Sequence, residues 1–127
     1  MRILPLLLVL GGCAAVGQSE DEGAQLARQL AGRVAGEAQN CVSITQSGPL
    51  EIVDRQTLAY RVGSTIYVNR LREECPGLRP LNTLIVETHG SQYCRGDRVR
   101  TLESGLSIPG PICPLGDFVP YRLPGRA

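Results

Sequence analysis

The sequence predicts a small, mainly β domain, an antiparallel barrel or sandwich with two disulfides, preceded by a signal segment and one short N-terminal helix. Three observations predict it. Between Cys41 and Arg122, Leu, Ile, Val and Tyr alternate with polar residues at the period of two that a half-buried strand requires. Turn sequences such as Ser47-Gly48-Pro49, Gly63-Ser64 and Gly96-Asp97 punctuate the alternation. Four of the five cysteines, Cys41, Cys75, Cys94 and Cys113, fall inside the same stretch.

That stretch is 82 residues long. A domain of this size buries a modest fraction of its surface, so a cross-link or a partner is expected. With one Phe, four Tyr and no Trp, the core must be aliphatic. All 13 basic residues are Arg, against 12 acidic residues, and one of the 13 is Arg2 in the leader. A balance this flat gives no electrostatic grip on nucleic acid. Arg in place of Lys suits forked recognition of carboxylate or phosphate, and it is also what codon bias in a GC-rich genome produces.

The chain opens with Met1-Arg2 and an apolar run, Ile3 to Leu10, broken only by Pro5. The run is too short to span a bilayer, which takes roughly 20 apolar residues, and it suits the apolar core of a secretory signal. It ends in Leu10-Gly11-Gly12-Cys13, which resembles the bacterial lipoprotein signal. The resemblance implies a signal peptide over 1–12, lipidation of Cys13 as the first mature residue, and a membrane partner reached through that lipid anchor. Ala14 after the cysteine then implies the outer membrane, with the domain facing the periplasm. Ordinary cleavage after Ala14 or Ala15, giving a soluble periplasmic protein, is the alternative.

Residues 13–19 read as a lipid-anchored linker and residues 20–40 as a helical segment. Ser19 is a candidate cap, and Glu20, Asp21 and Glu22 favour a first helical turn. Leu26, Leu30 and Val34 make one apolar stripe at i, i+4, i+8. Gly23, Gly32 and Gly36 weaken the helix, which is therefore expected to lie loosely on the β domain and fray from Gly32 to Gly36.

In the β domain, residues 41–122, Val42/Ile44 and Leu50/Ile52 alternate on either side of the first turn. Leu58, Tyr60 and Val62 share a face. Gly63-Ser64 then forms a two-residue hairpin loop, with Ile66 and Val68 expected to continue the inward face. Leu71 to Leu81, with Cys75, Pro76, Gly77 and Pro80, is a pinned loop. Thr83 to Thr88 reads as a central strand, His89-Gly90-Ser91 as a turn, and Gln92 to Arg95 and Arg98 to Leu102 as short strands. After a Gly/Pro loop, Asp117 to Arg122 closes the domain, and Pro120 there forbids a central position and argues for an edge strand or a bulge. Residues 123–127 are a tail. A barrel-like meander is the preferred arrangement.

With Cys13 lipidated, Cys41, Cys75, Cys94 and Cys113 leave an even count, which in an exported domain predicts two disulfides. Three pairings are open. Spacings of 34, 19 and 19 residues, with His89 the only histidine, do not suit a metal site. No cofactor is expected.

Cys94-Arg95-Gly96-Asp97 and Cys113-Pro114-Leu115-Gly116-Asp117 echo one another. Gly96 and Gly116 are expected to supply positive-φ corners, and Asp97 and Asp117 to hydrogen-bond backbone amides just beyond them. The Arg95-Gly96-Asp97 tripeptide that some adhesion receptors bind is read as this turn geometry. His89 with Asp97 or Asp117, or the two aspartates as a carboxylate pair, is the set from which a periplasmic hydrolase could be assembled.

A leader, Cys41 opening the domain, the Tyr60 to Val68 hairpin, Cys75-Pro76-Gly77-Leu78, Cys94-Arg95-Gly96-Asp97 and a last cysteine at Cys113 together resemble the bacterial envelope proteins of the domain-of-unknown-function group 6491. The resemblance covers about two-thirds of the chain and implies location and fold but no activity. The expected function is that of a non-catalytic envelope lipoprotein, with no enzymatic activity. Its β domain would bind or shield a protein partner, marked by an exposed patch at Tyr67, Tyr93 or Tyr121. A hydrolase and a purely structural spacer are the alternatives.

Overall fold

The computed structural model describes residues 11–12, 18–45 and 48–125. Cys13 and most of the leader lie outside the described residues. One helix, α1 (Gln18–Leu30), precedes ten short strands: β1 (Val34–Ala35), β2 (Cys41–Ser43), β3 (Glu51–Asp54), β4 (Thr57–Val62), β5 (Thr65–Arg70), β6 (Thr83–Glu87), β7 (Gln92–Cys94), β8 (Arg98–Leu102), β9 (Cys113–Pro114) and β10 (Phe118–Arg122). They form three antiparallel sheets, ordered β1-β10-β5-β4-β3, β2-β7 and β6-β8-β9. The sheets do not close into a barrel, and the order is not a meander. β6 is an edge strand rather than a central one, because only β8 pairs with it.

The β4–β5 hairpin organises the fold. Gly63 has φ 58° and Ser64 does not have positive φ, as in a II′ turn. The two-residue loop pairs Val62 with Thr65, Tyr60 with Tyr67, Ala59 with Val68 and Leu58 with Asn69. Directly opposed residues share a face, so Ile66 and Val68 lie opposite the face of Leu58 and Tyr60, not on it. The expected single inward face is therefore two faces, and both are buried.

On the first face Leu58, Tyr60 and Phe118 pack with Val42, Leu78, Val99 and Leu115 from the smaller sheets and loops. On the second, Ala59, Ile66 and Val68 pack beneath Leu26, with Leu30, Val53 and Tyr121 around them. Leu26 is 6% exposed, so the helix is docked rather than loose. Arg61 donates to the Gln29 side chain and Arg33 to the Ser64 carbonyl, tying the helix end to the hairpin.

α1 begins at Gln18, before the expected cap Ser19, and ends at Leu30, ten residues short of the expected end. Gly32 takes φ 77°, a conformation that terminates helices. Val34 consequently belongs to β1, pairs with Arg122 and is exposed, so it is not part of the helical stripe.

Pro120 is buried inside β10, which has neighbours on both sides. Its carbonyl accepts the Gly36 N–H at 2.7 Å, so its ring nitrogen faces the same flank and offers it no donor. The β1–β10 ladder stops there and resumes at the Gln39–Phe118 bridge with one extra residue on the residue-36-to-38 side. β10 is therefore an inner strand, not the edge expected from Pro120, and the irregularity lies in the neighbouring segment rather than in β10 itself.

Candidate functional site

The four cysteines form the crossed pair of disulfides Cys41–Cys94 and Cys75–Cys113. The first joins directly opposed residues of β2 and β7, with Cα atoms 4.0 Å apart. The second fastens the loop after β5 to β9, with Cα atoms 6.1 Å apart.

The two echoing motifs lie against each other. The β8–β9 pairs Arg98–Pro114 and Val99–Cys113 continue into hydrogen bonds from Leu115 N–H to the Asp97 carbonyl and from Gly96 N–H to the Leu115 carbonyl, both 2.9 Å. Arg95 Nη1 of one motif is 3.5 Å from Asp117 Oδ1 of the other. Their glycines do different work, however. Gly96, at φ 86°, is the expected left-handed corner. Gly116 does not have positive φ. It is glycine because a Cβ there would sit 2.3 Å from the Arg70 carbonyl oxygen. The aspartates also differ. Asp97 is buried and accepts the N–H of Cys94, the residue three before it, at 2.8 Å, not an amide beyond it. Asp117 is half-buried and faces Arg95. With Asp97 7% exposed, the Arg95-Gly96-Asp97 tripeptide has no free carboxylate to present to a receptor.

Gly116 is clamped by Asn69, which sequence reasoning passed over. Asn69 Nδ2 donates to the Gly116 carbonyl at 2.7 Å, and the Gly116 N–H donates to Asn69 Oδ1 at 2.8 Å. Both residues are buried. The hairpin register held the signal. Asn69 opposes Leu58, so it had to face the core, and a buried amide requires partners.

This clamp sets the wall of a cleft of about 330 Å³. Arg70, Arg72, Arg95 and Asp117 line its polar side. Val68, Leu115, Val119 and Tyr121 line its apolar side. The cleft opens on the helix-bearing face of the large sheet, over β5 and β10, while α1 packs towards β3. Among the described residues, the Arg70 and Arg72 side chains make no hydrogen bond or ion pair.

His89 meets one of its two candidate aspartates. Its Nδ1 is 3.5 Å from Asp97 Oδ1, while Asp117 pairs with Arg95. The imidazole is 88% exposed at its turn, and neither His89 nor Asp97 lines any of the five clefts described. No group of three or more potential metal ligands occurs among the described residues.

The tyrosines are structural. Tyr60 is buried. Its hydroxyl takes the Thr45 N–H at 2.8 Å and lies 3.2 Å from the Ser43 carbonyl. Tyr93 meets it edge-on at 5.4 Å, and Tyr67 lies 6.5 Å away. Burial first, and the neighbouring Tyr60 second, push the Tyr93 phenol above its ordinary value. Tyr67, Tyr93 and Tyr121 are all partly buried against the cores, so the expected exposed tyrosine patch is not where the apolar surface lies. That surface is aliphatic: Leu81 is 95% exposed and Ile108 81%, with Leu106 and Ile112 also exposed, and Val34, Ile44 and Leu123 exposed elsewhere. Leu81 precedes β6, and Leu106, Ile108 and Ile112 follow β8. Thr83 pairs with Leu102, so the two loops leave the same end of that ladder.

No protein-family model, curated protein or solved structure matches the chain.

Proposed function

We propose that the chain is an envelope lipoprotein, moored through Cys13 and similar to the group 6491 proteins, whose β domain binds a protein partner and performs no catalysis. The observation that carries this reading is the exposed aliphatic set on two loops that leave one end of the β6–β8 ladder, Leu81 with Leu106 and Ile108. Single exposed aliphatic residues are ordinary, whereas several on loops at one end of a small domain support a partner-binding reading. Two disulfides are in keeping with an oxidising compartment outside the cytoplasm. Photocrosslinking in intact cells from positions 81 and 108, followed by mass spectrometry, tests the reading and reports acylation of Cys13. One recurrent partner and an acylated Cys13 are expected. Unmodified Cys13 in a chain that keeps its leader would refute the anchoring, and no crosslinked partner would leave a structural spacer.

The His89–Asp97 contact favours a second reading, a hydrolase. Asp97 would orient the imidazole, which would activate a nucleophile or water. The bond from Cys94 N–H to Asp97 and the exposure of His89 weigh towards a turn-stabilising role. Loss of a measured hydrolytic activity in His89→Ala, with folding intact, would support the enzyme.

A further inference from the structure

We propose that the cleft between β5, β10 and the Cys94–Asp97 turn binds a small ligand through an oxyanion, a carboxylate or a phosphate, held in the fork of Arg70 and Arg72. This site is separate from the exposed aliphatic set and does not depend on what that set binds.

The charge at the cleft is local. The whole chain carries a formal +1, yet three arginines and one aspartate meet here. Arg95 is matched by Asp117 at 3.5 Å. Arg70 and Arg72 have no such match among the described residues, so an incoming anion finds two guanidinium groups not already engaged. A guanidinium offers paired N–H donors in the geometry of a carboxylate or phosphate edge, and such forked bonds are stronger than neutral ones. The apolar wall of Val68, Leu115 and Val119, with Tyr121, accommodates a short hydrocarbon body. At about 330 Å³ the space is at the small end of ligand sites.

The fold fixes the backbone around the site before any ligand arrives. Asn69 and Gly116 lock the end of β5 to the start of β10, next to Arg70. Arg95 follows Cys94, which is bonded to Cys41, and the Arg95 N–H donates to the Asn40 carbonyl at 2.7 Å. Ala38, in the bulge imposed by Pro120, contributes to the lining. A fixed backbone leaves only side chains such as the exposed Arg70 and Arg72 to be ordered on binding.

The test is a titration of the full-length, isotope-labelled chain in zwitterionic detergent micelles, followed by backbone amide NMR. Inorganic phosphate forms one arm and butyrate the other, with sodium chloride at matched ionic strength as control. Saturable shifts at the Leu115, Asp117 and Val119 amides are expected in at least one arm, and the arm that saturates identifies the oxyanion. Arg70→Gln and Arg72→Gln should each raise Kd about tenfold. Arg72→Lys should also weaken binding, because lysine keeps the charge but not the fork. Arg28→Gln, on the helix, should leave Kd unchanged. Both arms matching the chloride control, or an unchanged Kd in the Arg70→Gln/Arg72→Gln double variant, would overturn the proposal. Full affinity in Arg72→Lys would overturn the forked geometry. Far-UV circular dichroism and intact disulfides confirm folding of each variant, and both arginines are exposed.

Discussion

Replacing Asn69 with alanine tests the joint on which the two halves of the domain meet. The Asn69 carboxamide satisfies both the N–H and the carbonyl of buried Gly116, at 2.8 and 2.7 Å. Removing it leaves two backbone groups without those partners, each costing about 1–3 kcal/mol. Water entering the vacated space would re-pair one of them, which places the expected loss at about 1–3 kcal/mol. That is a large share of the roughly 5–15 kcal/mol available to a domain. Equilibrium urea unfolding with the disulfides intact, followed by circular dichroism, measures it. At a slope of roughly 1–2 kcal/mol per molar urea the midpoint should fall by about 0.5–3 M. Asn69→Asp adds a second readout. It keeps an acceptor for the Gly116 N–H but loses the donor to the carbonyl and buries a carboxylate, raising that group's folded pKa above the unfolded value near 3.9. A raised folded value means the variant's deficit, relative to the native chain at the same pH, is smallest in acid and grows as pH rises through the carboxylate range. A loss below about 0.5 kcal/mol for Asn69→Ala would refute the clamp.

Three further outcomes are expected. Replacing either cysteine pair with serine removes a cross-link spanning 53 or 38 residues, for which loop closure gives about 4 kcal/mol as an upper value, and removing both should abolish the cooperative unfolding transition; retention of full β circular dichroism in strong reductant would contradict this. Leu26→Ala, on the buried side of α1, should cost about 2–3 kcal/mol in urea unfolding, whereas an undocked helix would give almost no change. Spectrophotometric titration should show the Tyr93 phenol ionising above the ordinary range, and its folded value being raised means that its contribution to stability is present below pH 10 and lost as pH rises beyond; Tyr60→Phe should bring it down, since the neighbouring phenol is the second cause of the shift.

What could be read in the sequence was what is local. The β4–β5 hairpin runs from Thr57 to Arg70 as its alternation and Gly63-Ser64 loop require. The pinned loop at Cys75 and the Gly96-Asp97 corner also follow from neighbouring residues. The errors came where a second element decides. Ile66 and Val68 face away from Tyr60, and only a docked helix makes that face interior. Val34 fits a helical stripe by spacing, but Gly32 ends the helix first and β10 captures the residue. Gly116 and Gly96 sit in matching motifs, yet one is needed for a close approach to Arg70 and the other for its dihedral angle. The Arg70–Arg72–Arg95 cleft joins residues of β5, the loop after it and the β7–β8 turn, and no periodicity links those.

The interlaced order of the two bridges, first cysteine to third and second to fourth, has a topological consequence. A single peptide-bond cut anywhere between Cys41 and Cys113 leaves at least one sulfur linkage across the break. Hydrolysis at any one exposed turn in this region would therefore yield a nicked molecule of unchanged mass apart from one added water, with both fragments still attached. Only thiol exchange or a second cut could release a piece, so damage by a protease would remain invisible on a non-reducing gel and appear at once on a reducing one.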